Sequence, residues 1–129
     1  MSLPLVDNPF LQWLGVCLAE WRPDYVEMHL PVKPELFNRT ERIQGGVLCT
    51  LLDVAGGYAG VYAPEGAPKI RSVTLSLTTN FIGSGAGEML IAKGYLERKG
   101  RTVYFARGEV WQDEKLLLAT AVGTYKYIR

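Results

Sequence analysis

The run Gly45-Gly46-Val47-Leu48-Cys49-Thr50-Leu51-Leu52-Asp53-Val54-Ala55-Gly56-Gly57-Tyr58 places one carboxylate, Asp53, inside an otherwise apolar stretch. Val47, Leu51, Val54, Tyr58 and Val61 recur at helical spacing, so a buried helix is expected from about Gly45 to Tyr62. Ala63 to Pro68, with two prolines and Gly66, ends it. No neighbour in the sequence offers Asp53 a counter-charge. A carboxylate in such a helix needs hydrogen bonds, a partner or a proton. Asp53 is therefore the first candidate for chemistry.

Working outward, strand signals flank the helix. Upstream, Val16 to Trp21 reads as a strand, Arg22-Pro23-Asp24 as a turn, and Tyr25 to Leu30 as an alternating half-buried strand hairpinned to the first. Before these, Phe10 to Leu14 reads as a short helix capped by Asn8 or Asp7 and ended by Gly15. Lys33 to Ile43 is loop-like. Downstream, Ile70 to Phe81 alternates, with Val73, Leu75 and Leu77 facing one way and Ser72, Thr74, Ser76 and Thr78 the other. A turn at Gly83 to Gly87 follows, then strands at Glu88 to Arg98, Arg101 to Gln112 and Leu116 to Ile128. One helix can cover one face of such a sheet. The expected class is α+β: a curved antiparallel sheet of about six strands wrapped around one long central helix. Gly45, Gly46, Ala55, Gly56, Gly57, Ala59 and Gly60 would let strands approach that helix closely. Each helix glycine costs roughly 1 kcal/mol relative to alanine, which burial must offset. Close packing accounts for Gly56, Gly57 and Gly60 but less well for Gly45-Gly46 at the helix start.

The chain has 129 residues and reads as one domain over 1–129, with 48% hydrophobic residues to fill a core. Its 14 basic and 13 acidic residues give a net charge of +1, which argues against a general nucleic-acid binder. Cys17 and Cys49 lie far apart with no clustered histidine, so they read as reduced core residues and no metal site is expected. No apolar run is long enough for a membrane span, and the start lacks a secretory-signal pattern. A cytoplasmic location is expected.

Glycines at a helix start leave backbone N–H groups open to close approach, and such a terminus can hold a developing oxyanion. Gly45 and Asp53 are eight positions apart, about 12 Å of helix rise, too far to act on one carbonyl within one chain. The helix start of one subunit and the aspartate of another can meet across an interface, so a dimer is expected. Asn38, Gln44-Gly45-Gly46 and Asp53 are spaced as in the N-x5-HGG-x6-D pattern of hotdog-fold acyl-CoA thioesterases, and the chain resembles their phenylacetate-degradation (PaaI-like) branch. Leu36-Phe37-Asn38, Ser72 to Phe81 and Gly100 to Phe105 resemble further family segments.

The resemblance implies that Asp53 attacks the thioester or activates water. It implies that Gly45 donates its backbone N–H to the thioester oxygen and that Asn38 orients the carboxylate or water. Thr74 would hold the hydrolytic water, with Ser72 as the fallback, and Gly46 would border the substrate. Gln44 departs from the pattern, which has histidine there. Glutamine can position groups but cannot shuttle a proton near neutral pH. The sole histidine, His29, reads as a solvent-facing strand residue. With the motif histidine missing, a dehydratase or hydratase reading, which pairs histidine with a carboxylate, falls behind. Arg98, Lys99 and Arg101 cluster at one turn where they could hold coenzyme A phosphates; Lys69 and Arg71 flank another. Trp13, Phe37, Tyr58 and Tyr62 read as core or interface residues, or as walls of an acyl pocket. No cofactor is implied. The expected assembly is a homodimer, as a dimer of dimers. The alternative is a non-catalytic acyl-CoA binder on the same fold.

Overall fold

The computed structural model describes residues 3–128, and each element in it has a local cause. Helix α1 (Pro9–Leu14) starts where Asn8 Oδ1 accepts from the Leu11 N–H at 3.1 Å, with proline in its first turn. It stops at Gly15, whose φ of 97° lets its N–H return to the carbonyls of Leu11 and Gln12.

Six strands then form one sheet: β1 (Cys17–Arg22), β2 (Tyr25–Pro31), β3 (Arg71–Phe81), β4 (Met89–Lys99), β5 (Val103–Gln112) and β6 (Leu116–Ile128). Every pairing is antiparallel and the order is β1-β2-β4-β5-β6-β3. β3 thus lies at the edge opposite β1. The stretch after β3 crosses back toward β2 rather than turning tightly, and it is held by Ile43 N–H to Gly85 O and Val32 N–H to Glu88 O, both 2.9 Å.

Helix α2 (Gly45–Ala59) fills the concave face. Its buried residues are Leu48, Leu51, Leu52, Ala55, Gly56 and Ala59, and they pack on Val26, Met28, Leu90, Ala92, Val110 and Leu118. The expected face was one step off. Val47, Val54 and Tyr58 are only half-buried beside that stripe. The helix also ends before Tyr62, at Ala59, where the Gly60 and Val61 N–H groups bond back only three residues, to the Gly57 and Tyr58 carbonyls. It comes close to the sheet over the cross-strand pair Gly94–Gly108 of β4 and β5. A Cβ on Gly94 would lie 2.1 Å from the Ala55 carbonyl oxygen, so only glycine admits the helix there.

The alternation expected along β3 is broken by a bulge. Thr74 pairs with Tyr125 but Ser76 pairs with Thr124, leaving Leu75 as the extra residue. Ser72 and Thr74 face the helix before the bulge. After it the phase is inverted: Leu77 packs on the core and Thr79 Oγ1 meets Cys49 Sγ. Val73 and Leu75 are left exposed. The bulge therefore aims two hydroxyls, and no apolar side chain, at the helix around Asp53.

Candidate active site

Asp53 sits half-buried on α2 at the wall of a cleft of about 710 Å³. Thr74 Oγ1 donates to Asp53 Oδ1 at 2.6 Å. Among the described residues no group donates to Oδ2 and no cation pairs with the carboxylate. The charge is tolerated because the residue borders a cleft instead of the core. One oxygen is held while the other stays available to substrate or water.

Four aromatic side chains fix the backbone beneath this carboxylate. Tyr125 hydroxyl donates to the Asp53 carbonyl at 3.1 Å, and Tyr104 hydroxyl to the Gly57 carbonyl at 2.7 Å. Tyr127 hydroxyl donates to the Gly60 carbonyl at 2.8 Å, and Trp21 Nε1 to the Tyr58 carbonyl at 2.9 Å. Three of these donors tie the last turn and cap of α2 to the sheet, in addition to the backbone bonds from Gly60 N–H to the Gly57 carbonyl and from Val61 N–H to the Tyr58 carbonyl, and Tyr125 grips the helix further back, at Asp53. Tyr104 and Tyr125 stack with centroids 5.1 Å apart. Gly56 and Gly60 are required by this clamp: a Cβ on either would lie 2.2 Å from Tyr125 or Tyr104 atoms. No motif in the sequence marks these donors. The signal was the alternation that puts Tyr104, Tyr125 and Tyr127 on the strand face opposite the helix glycines.

Burial raises the Tyr125 hydroxyl above its ordinary range, and the Asp53 charge adds to the shift. Burial likewise pushes Tyr104 up to about 12 from 10.0, aided by Tyr127 and Asp53 and opposed by its hydrogen bond with Ser72. A folded-state value above the unfolded one means stability is intact below pH 10 and falls as pH rises through about 12. Tyr104→Phe is expected to flatten that alkaline loss in urea titrations, and to cost about 1 kcal/mol at neutral pH through its lost hydrogen bonds.

The other candidate residues separate into two groups. Ser72 lies one pair further along β3, with its hydroxyl 2.8 Å from that of Tyr104 and not against Asp53. Gln44, the N-cap of α2, and Gly46 line a second cleft of about 460 Å³, together with Phe10, Trp13 and Leu36. Trp13 is 76% exposed, so it is no core residue. Neither Gly45 nor Gly46 is demanded by packing, since a Cβ would find nothing nearer than 3.4 Å. Asn38 Oδ1 accepts from Thr40 N–H, Thr40 Oγ1 and Arg42 N–H, closing its loop at 2.9, 2.8 and 3.2 Å. Within one chain, Asp53 and Thr74 are thus in one cleft, and Gln44 and Gly46 in another.

Arg98, Lys99 and Arg101 are exposed at the β4–β5 turn, outside both clefts; Lys99 Nζ lies 5.6 Å from the Tyr127 ring centroid. Lys69 pairs with Asp7 at the rim of the larger cleft, and Arg71 lines it. His29 is half-buried and contacts Glu27 Oε2 at 2.7 Å, lines neither cleft and is not simply solvated as expected. Cys17 and Cys49 are both free thiols. Among the described residues, no group of three metal-ligating side chains occurs.

A family model described as "Thioesterase superfamily" matches residues 42–119, more than half of the chain and the whole span from Gln44 through β5. The chain belongs to the thioesterase superfamily. The medium/long-chain acyl-CoA thioesterase YigI of Escherichia coli (strain K12) is 27% identical over 130 aligned residues, covering 91% of this chain and 84% of YigI. Among solved structures, the conserved protein PA5202 of Pseudomonas aeruginosa matches with a TM-score of 0.82 and 25% identity, covering 94% of each chain. The E. coli PaaI protein of the phenylacetic acid degradation operon matches in fold, with a TM-score of 0.83 at 19% identity, covering 95% of this chain and 86% of PaaI. This superfamily member has the hotdog architecture expected from its sequence, and it is a thioester-hydrolysing enzyme.

Proposed function

We propose that the enzyme hydrolyses acyl-CoA thioesters to free acid and coenzyme A at a site shared by two subunits. The observation that carries this reading is the Asp53 carboxylate at a cleft, fixed by Thr74 through one oxygen and uncommitted at the other. Asp53 serves as nucleophile or as the general base for water. If water attacks, Asp53 takes its proton as the new C–O bond forms and the C–S bond breaks, and that proton neutralises the departing coenzyme A thiolate; if Asp53 attacks, coenzyme A leaves as its thiolate and water then cleaves the acyl–Asp53 anhydride to release the free acid. The Gly45 N–H of a second subunit stabilises the thioester oxygen as negative charge develops. Gln44 and Asn38 position groups there, and Gly46 leaves room for them. Ser72 borders the Asp53 side through its contact with Tyr104. Arg98, Lys99 and Arg101 meet the phosphates of coenzyme A.

Two features support a shared site. The about 12 Å of helix rise between Gly45 and Asp53 keeps them from one carbonyl within one chain. β3 also ends the sheet with an unpaired edge of 11 residues. A long edge with exposed Val73, Leu75 and Phe81 is a template for pairing with a second copy. A dimer of dimers, a single domain over 1–129 and a cytoplasmic location belong to the same proposal. Among the described residues, no helix is long and apolar enough to cross a membrane. The name of the YigI relative makes medium and long acyl chains the first substrates to try. The test is thiol release from a panel running from butyryl-CoA to palmitoyl-CoA. Turnover is expected; tight binding without release at any length would instead favour a non-catalytic acyl-CoA binder.

A further inference from the structure

The larger cleft is the seam between the two edge strands of the curved sheet. Its floor is one strip of α2 and the turn after it: Asp53, Val54, Gly57, Tyr58 and Val61. Leu18 and Trp21 of β1 wall one side, and Ser72 and Thr74 of β3 the other. From Asp53 to Val61 the strip runs about 12 Å, and it turns apolar as soon as it leaves the carboxylate. Gly57 lies one helical turn beyond Asp53 on this floor.

The three helix glycines near the clamp differ in a telling way. Gly56 and Gly60 are buried, and a Cβ on either would collide with a tyrosine at 2.2 Å. Gly57 is half-buried, and a Cβ there would meet only the Tyr125 ring, at 3.6 and 3.8 Å, which are ordinary contact distances. Its backbone angles are not in the left-handed region, since no positive φ is found there. Backbone conformation demands none of the three; packing demands Gly56 and Gly60 and, against the expectation from the sequence, leaves Gly57 without a structural reason for lacking a side chain. What a side chain at Gly57 would fill is the cleft.

We infer that Gly57 determines acyl-chain length: its missing side chain keeps the floor open for a straight apolar chain passing from the Asp53 carboxylate toward Tyr58, Trp21 and Val61. The assignment rests on the acyl-CoA hydrolase reading proposed above. A short acyl group ends before Gly57, whereas a medium or long one must cross it.

The test is the ratio of kcat/KM for dodecanoyl-CoA to that for butyryl-CoA. Gly57→Leu is expected to lower this ratio by about 100-fold relative to the unaltered enzyme, and Gly57→Ala by about 10-fold. Gly57→Ala carries the test if the leucine variant fails to fold, because its added methyl makes only ordinary contacts. A ratio unchanged in the folded variants, with both substrates slowed alike or not at all, would overturn the assignment. Binding keeps this separate from the hydrolase reading. Calorimetric affinities for the same two acyl-CoAs are compared between Asp53→Asn and Asp53→Asn/Gly57→Leu. If the unaltered enzyme releases no thiol, the hydrolase reading fails. Selective loss of dodecanoyl-CoA affinity still upholds the role of Gly57, and equal affinities contradict it.

Discussion

Asp53→Asn is expected to lower kcat for a medium-chain acyl-CoA by about 10³-fold with little change in KM. The amide is nearly isosteric, and its oxygen can accept the Thr74 hydroxyl as Asp53 Oδ1 does at 2.6 Å. The geometry of the cleft is thus retained while the proposed base or nucleophile is removed. Stability should move by no more than about 0.5 kcal/mol, because Asp53 is half-buried, makes no ion pair among the described residues and sits at a cleft wall. Steady-state kinetics with a thermal melt on the same sample checks both halves. Turnover within about 10-fold of the unaltered enzyme would remove Asp53 from the chemistry.

Gly94→Ala should be the most damaging single methyl in the sheet. Its Cβ would sit 2.1 Å from the carbonyl oxygen and 2.5 Å from the carbonyl carbon of Ala55. Both atoms belong to the helix backbone, which cannot rotate away as a side chain can. The helix must lift from the β4–β5 floor or the strand must bend. Either response strains the tyrosine clamp that holds Asp53 and Gly57. Overpacking of this kind costs about 3 kcal/mol. That corresponds to a fall in Tm of about 10 °C for a domain of this size. A melting temperature within about 2 °C of the unaltered protein would show that the helix does not rest on Gly94 as described.

The order of elements, the hairpins and the resemblance to the hotdog family were legible in the chain because period-two and helical patterns are local. The face of α2 was read one residue off. Val47, Val54 and Tyr58 satisfy the helical period but line clefts, Val47 the smaller and the other two the seam, and the period alone does not say which apolar stripe meets the sheet. The pairing of β3 with β6 was not legible, since nothing local distinguishes a crossing connection from a turn. The bulge at Leu75 was hidden for a similar reason: alternation persists on both sides of it, and only the register against β6 reveals the inversion. Asp53 stood out by chemistry, and the structure adds the Thr74 contact to it. The donors that clamp the helix were missed because a tyrosine on a strand reads first as core.

In the proposed site, Asp53 of one subunit works with the helix start of another. Gly45→Pro removes the N–H at the first helical position, where proline is tolerated. Gln44 already holds the extended backbone, φ −61° and ψ 132°, that a following proline requires. Asp53→Asn and Gly45→Pro are each expected to be nearly inactive alone. Mixed, unfolded and refolded together in equal amounts, they should recover about one quarter of the unaltered turnover, since half the dimers would carry one intact shared site of two. Recovery no greater than the sum of the two parents would contradict a site built across subunits.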